Sequence, residues 1–272
     1  MLTRKERLEK LWKRVRLLRR PSGRASPVFI CGMQRSGTNM LIRAFNRHSE
    51  TECYYENDPE AFDNYVLRDE QTVQRLIRRS RAAVVFFKPI ADSQHARRML
   101  QTFDGLRVIW LYRWYEDAVN SALRNWKHHF RELQIMIEEP EAAGWRIEEL
   151  DDEMWALLRH WYAKRISDAS VRALLWCVRN QHFFRQRLQE EPRVHLVNYE
   201  RLVQSPAKEM EWLCGLIGLR YEPSLAEGIH RRSVRKSPPP DIHPEIRALC
   251  DAMYRRLETV FEQRRGSCPP PA

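Results

Sequence analysis

The residues best suited to chemistry lie in one run, Val28-Phe29-Ile30-Cys31-Gly32-Met33-Gln34-Arg35-Ser36-Gly37-Thr38-Asn39-Met40-Leu41. A short apolar strand enters a Gly-containing basic turn and leaves it as a helix. Backbone N–H groups at a helix start lack intrahelical acceptors and carry the positive end of the dipole, so the turn is a phosphate cradle, with Arg35 adding a full charge. A metal-dependent nucleotide triphosphatase loop reads G-x-x-x-x-G-K-[ST]. Here Gly32 and Gly37 keep that spacing, but Thr38 stands where the Lys belongs. A kinase-type γ-phosphate site, the leading alternative, is therefore incomplete.

Two further segments follow in order, the first with anion-binding types. Arg107-Val108-Ile109-Trp110-Leu111-Tyr112-Arg113 reads as a buried strand closed by an Arg, and the helix beginning near Trp114 carries Ser121 eight residues on. A planar, permanently charged guanidinium suits phosphate. Arg193 to Leu202, then Ser205-Pro206 and a helix from Ala207 to Ile217 ending at Gly218, reads as strand, turn and helix with the expected Pro and Gly punctuation.

Together these segments resemble the sulfotransferases that use 3′-phosphoadenosine 5′-phosphosulfate (PAPS), from Pro27 to about Gly218. The resemblance implies a P-loop-like α/β fold of three layers, a central parallel sheet with helices on both faces. It implies that Arg35, Ser36, Gly37, Thr38 and Asn39 hold the 5′-phosphosulfate, and Arg113 with Ser121 the 3′-phosphate. It also implies transfer of the sulfuryl group to an acceptor hydroxyl without a metal, leaving adenosine 3′,5′-bisphosphate. Small-molecule members carry Lys-x-His after the second strand; this chain reads Lys88-Pro89-Ile90, keeping the Lys and losing the His. Other members use a Glu after the first helix, a place filled here by Glu56. The implied catalytic set is Glu56 as base with Lys88 and Arg35 as cationic stabilisers, His128 and His129 being the reserve bases. Ser233 and Arg235, in the basic run Arg231 to Ser237, match the loop that closes over the 3′-phosphate. Tyr199 and Glu200 read as structural.

The elements that must position these residues follow from pattern. Apolar β-rich runs at Val28 to Cys31, Val84 to Phe87, Val108 to Leu111 and Val194 to Val197 alternate with helical stretches, which implies a parallel sheet with its ligands at the carboxyl edge. The stretch Trp126 to Met154 is less regular, and residues 126–165 form a possible acceptor-side insertion. Its aromatics Trp145, Trp155, Trp161 and Tyr162 suit either helix packing or acceptor contact; Trp176 and Phe183 read as core.

Composition sets the remaining bounds. Of the net charge of +11, residues 1–26 carry +8, from ten Lys/Arg against Glu6 and Glu9. The body, residues 27–272, is therefore only mildly basic, which argues against a nucleic-acid partner. In the basic segment Leu8, Leu11, Trp12, Val15 and Leu18 keep helical spacing, so an amphipathic helix is expected. That stripe suits an anionic membrane surface, through residues 1–20, or packing on the domain or a partner. A non-enzymatic module that binds through this helix is the other alternative. No apolar run is long enough to span a bilayer and no signal peptide is evident, so the expectation is a cytoplasmic protein, peripheral at most. Six cysteines without C-x-x-C spacing read as reduced, mostly buried thiols. The acceptor's identity is open between a glycan, a glycolipid and a small metabolite, and the oligomeric state is open too.

Overall fold

The computed structural model describes residues 12, 13, 15, 17, 18 and 22–267. Five parallel strands form its sheet: β1 (Ser26–Gly32), β2 (Thr51–Tyr54), β5 (Val84–Phe87), β6 (Arg107–Tyr112) and β7 (Val194–Asn198), in the order β2-β5-β1-β6-β7. The small antiparallel pair β3 (Phe62–Asp63) and β4 (Val66–Leu67) stands apart.

Period-two alternation divides the core. On β1, Val28 and Ile30 face one layer, where they meet Leu41, Ile42 and Phe45 of helix α1 (Thr38–Arg47). Phe29 and Cys31 face the other, which holds helices α2 (Glu70–Arg79) and α3 (Ala96–Thr102). Strands buried on both faces read as continuous apolar runs, as these do. Next along the chain, α4 (Tyr115–Asn125) follows β6 directly, with Trp114 as its N-cap.

The stretch that looked irregular is mostly helical: α5 (His129–Glu138), α6 (Pro140–Ala143), a 3₁₀ turn at Gly144–Arg146, and α7 (Asp152–Ala163). Pro140, at the start of α6, lacks the N–H a continuing helix needs, so the run breaks into short pieces with mixed faces and loses its periodic signal. α8 (Asp168–Arg185) is buried through most of its length, including Trp176 and Phe183. The short α9 (Tyr199–Gln204) and α10 (Pro206–Ile217) follow β7, and α10 ends on Gly218 at φ 70°, a left-handed value that glycine adopts without strain. α11 (Pro244–Ser267) closes the layer beside α8.

Leu8 and Leu11 of the expected stripe lie outside the described residues. Trp12, Val15 and Leu18 do not pack on the domain; they are 71%, 49% and 59% exposed. Instead Leu17 is buried, and Lys13 is drawn inward, its Nζ donating to the Asn46 carbonyl and to Thr51 Oγ1, both at 2.8 Å. Burial lowers the Lys13 pKa. The side of this segment that touches the domain is thus set by a lysine with two good acceptors rather than by the apolar stripe. Among the described residues no helix is long and apolar enough to cross a membrane, and no cluster of three or more His, Cys, Asp or Glu could hold a metal. The five described cysteines are free and buried.

Candidate functional site

Register brings the chemistry-bearing residues together. Tyr54 of β2 lies beside Phe87 of β5, so Glu56 and Lys88, each just past its strand, emerge side by side. Gly32 of β1 lies beside Leu111 of β6, which sets the Gly32–Gly37 turn next to Arg113. All four chain exits share the carboxyl edge of the sheet, where open α/β sheets bind ligands.

The turn has a geometry that an anion would fit. Arg35 and Gly37 have φ of 68° and 98°, and alternating left-handed residues turn successive N–H groups into one concavity. Helix α1 has no side-chain cap and no acid in its first turn, so its first N–H groups are left for a ligand. The Ser36 hydroxyl is fully buried and has no hydrogen-bond partner among the described residues. Close packing demands the glycines. A Cβ at Gly37 would lie 2.4 Å from the Tyr199 ring, and one at Gly32 2.4 Å from the Leu111 carbonyl oxygen. The absent hydroxyl partner and the uncapped helix fit a bound phosphate.

Lys88 is 1% exposed, and its Nζ donates to Asn39 Oδ1 at 2.6 Å and pairs with Glu56 Oε2 at 2.8 Å. Burial lowers its pKa, an effect that Glu56 opposes. Cradle, lysine and carboxylate are therefore one connected unit. Arg35 Nε donates to Ser121 Oγ at 3.0 Å. Its pKa is lowered, first by burial and then by the charges of Arg113 and Arg124, which marks a site with excess positive charge.

Arg113 is 4% exposed and held on all sides. Its Nη1 donates to the Arg35 carbonyl at 3.3 Å, its Nη2 lies 3.6 Å from Asp117 Oδ2, its Nε lies 3.9 Å from Glu200 Oε1, and its guanidinium stacks 4.4 Å from the Tyr199 ring centre. Tyr199 and Glu200, which the sequence suggested were structural, thus shape the site directly. Glu200 also accepts the Trp114 N–H at 3.1 Å, and burial pushes its carboxyl up to about 7 against the pull of Arg113. Nothing in the spacing of Arg113 and Ser121 reveals these partners, because they come from β7's end.

The basic run sits where it can cover Arg113. The Arg235 N–H donates to both Asp117 carboxylate oxygens at 3.1 and 3.0 Å, Asn120 Nδ2 to the Pro238 carbonyl at 3.0 Å, and Arg124 Nη1 to Ser237 Oγ at 2.8 Å. Ser233 lies in a 3₁₀ turn of this run, with its side chain outside the described set.

A cavity of about 880 Å³ opens beside the cradle, with Arg35 and Glu56 in its wall. Lys127 and His128 come from the turn after α4, Trp145 and Arg146 from the 3₁₀ turn, and Arg172, Leu175, Val178 and Arg179 from one face of α8. The two reserve histidines part company. His128 lines the cavity, whereas His129 is buried and its Nδ1 accepts a hydrogen bond from Arg172 Nε. Burial, then the Arg172 charge, lowers the His129 pKa, so it orients an arginine rather than facing the cavity. Arg172 and Arg179 were not singled out from sequence, although two arginines seven residues apart on an apolar helix share a face and were a visible signal.

The Sulfotransferase domain family matches residues 25–237. No curated protein matches the chain. Among solved structures, a sulfotransferase from Alicyclobacillus acidocaldarius is 15% identical, with 88% of this chain and 96% of that one covered at a TM-score of 0.50. The sulfotransferase domain of the curacin biosynthetic pathway is 16% identical, covering 86% and 98% at 0.49. A mouse sulfotransferase, SULT7A1, solved with PAP is 12% identical, covering 90% and 89% at 0.42. At such identities the first likeness speaks for the fold alone, and the other two add no weight. With most of its length matched by the family and the parallel five-stranded α/β fold in place, the chain belongs to the sulfotransferase family.

Proposed function

We propose that the chain is a PAPS-dependent sulfotransferase acting on an acceptor hydroxyl of a glycan, glycolipid or small metabolite. When bound, PAPS supplies an activated sulfuryl group. The observation that carries this reading is the contact of Lys88 with both Asn39 of the phosphate cradle and Glu56, on the same sheet edge as Arg113. In this reading the N–H groups of Ser36 to Asn39 and the Arg35 guanidinium bind the 5′-phosphosulfate, and Arg113, Ser121, Ser233 and Arg235 bind the 3′-phosphate. Glu56 takes the acceptor's proton at a carboxylate oxygen. Lys88 orients Glu56 and, with Arg35, stabilises negative charge on the transferring and leaving oxygens. The same reading places a peripheral contact with anionic membranes at the exposed Trp12, Val15 and Leu18 in their basic segment.

Thermal shift tests the nucleotide. Adenosine 3′,5′-bisphosphate should raise the melting temperature, because a ligand of the folded state alone stabilises it by mass action. ATP with magnesium should not. The opposite pattern would replace the proposal with a nucleotide-dependent kinase.

A further inference from the structure

The wall of the cavity carries six cations, Arg35, Lys127, Arg131, Arg146, Arg172 and Arg179, against two carboxylates, Glu56 and Glu132. Both carboxylates are engaged. Glu56 pairs with Lys88, and Glu132 is shared between Arg172 and Arg146, the latter at 3.1 Å. Arg131 has its own partner in Glu139 at 2.7 Å, and Arg35 belongs to the phosphate cradle. Of the others, Lys127 is exposed and Arg179 is buried.

Arg179 is the most telling of these groups. It is 6% exposed, yet the partners it has are neutral: Gln94 Oε1 at 2.9 Å and the Ile90 carbonyl at 2.8 Å. Among the described residues no carboxylate lies within ion-pair distance, and its Nε has no hydrogen-bond partner. Burial lowers its pKa to about 10, opposed by the more distant charges of Asp92 and Glu148, so at neutral pH it is a buried cation without a direct ion pair. Such a charge is costly to hold in a fold unless a partner arrives.

Two tryptophans build these cations into paired sites. Arg146 and Arg179 both stack on Trp145, at 4.7 and 5.0 Å, and Arg35 and Arg172 both stack on Trp126, at 5.6 and 5.3 Å. Stacking fixes the planar guanidinium forks, which is what two-point binding of an oxyanion needs. Ile90, Leu175 and Val178 supply apolar wall between them.

We infer that the acceptor carries, besides its reactive hydroxyl, an anionic group (carboxylate, phosphate or sulfate) seated on Arg179 and Arg146 beside Trp145. This rests on the sulfotransferase reading for the hydroxyl, but the anion site itself does not depend on it.

The test uses the full chain and a matched set of probes: 4-hydroxyphenylacetate, 4-hydroxyphenyl phosphate and the neutral 4-hydroxyphenylacetamide. Binding is titrated calorimetrically with and without adenosine 3′,5′-bisphosphate, and sulfuryl transfer from labelled PAPS is followed separately. The anionic probes should bind about tenfold or more tightly than the amide, an advantage that shrinks as salt rises. Comparing the carboxylate with the phosphate probe distinguishes a planar oxyanion from a tetrahedral one. Arg179→Gln should abolish the advantage. Arg146→Gln, at a part-exposed position with less risk to folding, should reduce it, and both variants should keep their bisphosphate affinity. Equal binding of charged and neutral probes, binding by none, or an advantage that survives both substitutions overturns the inference. Loss of bisphosphate binding and transfer in the wild-type protein, with the anion preference intact, would instead overturn the sulfotransferase reading.

Discussion

Glu200→Gln is the most discriminating perturbation of the Arg113 end of the site, where the nucleotide is proposed to bind. Glu200 Oε1 accepts the Trp114 N–H and lies 3.9 Å from Arg113, while Oε2 is buried with no partner among the described residues. Desolvation raises its carboxyl from the ordinary 4.5 to about 7. Between those values the folded protein holds a proton that the unfolded chain has lost, so stability falls as pH rises through this window. At about 1.4 kcal/mol per pH unit, the full loss by pH 8.5 is about 3 kcal/mol, a ceiling because the side chain is 22% exposed. Gln keeps the acceptor for Trp114 and cannot ionise. Urea unfolding at pH 4.5 and 8.5 should therefore show a wild-type decline that is smaller in Glu200→Gln by up to that amount, all other titrating groups being common to both proteins. Ionised Glu200 also competes for Arg113, so bisphosphate affinity should drop above pH 7 in the wild type and stay flatter in the variant. Parallel pH profiles for the two proteins, in both stability and affinity, would refute the reasoning.

Glu56→Gln should retain bisphosphate affinity while lowering turnover by roughly 10² to 10⁴-fold and removing the acid limb of the pH–rate profile; near-normal turnover, beside an inactive but nucleotide-binding His128→Ala, would move the base to the cavity turn. Arg113→Ala should weaken adenosine 3′,5′-bisphosphate by about 1.5 to 3 kcal/mol per lost charged hydrogen bond and leave adenosine 5′-phosphate binding unchanged, as calorimetry can check. Gly37→Ala puts a Cβ 2.4 Å from the Tyr199 ring at φ 98° and should cost about 2 kcal/mol or more in thermal unfolding, with part of it recovered when Tyr199 is also cut to Leu.

The sequence by itself determined the parts of this protein whose logic is local. The strand, turn and helix around Arg35 are legible because a glycine spacing, an apolar run and a helix start are written within a few residues of one another. A parallel sheet follows from apolar runs separated by helices, and Lys88 and Arg113 fall at its carboxyl edge because each comes directly after a strand. What only the tertiary structure decided is how distant elements meet. Tyr199 and Glu200 become partners of Arg113 because β7 lies next to β6, a neighbour relation that no local pattern encodes. Glu56 meets Lys88 through the register of β2 on β5, which depends on the whole sheet closing. The cationic cavity exists because α8 presents Arg172 and Arg179 to the same space that the broken helices 129–146 fold over. The N-terminal segment makes the same point from the opposite side: helical spacing marked an apolar face, but contact is settled by which face finds partners, and there Lys13 found two acceptors while Trp12 stayed in solvent.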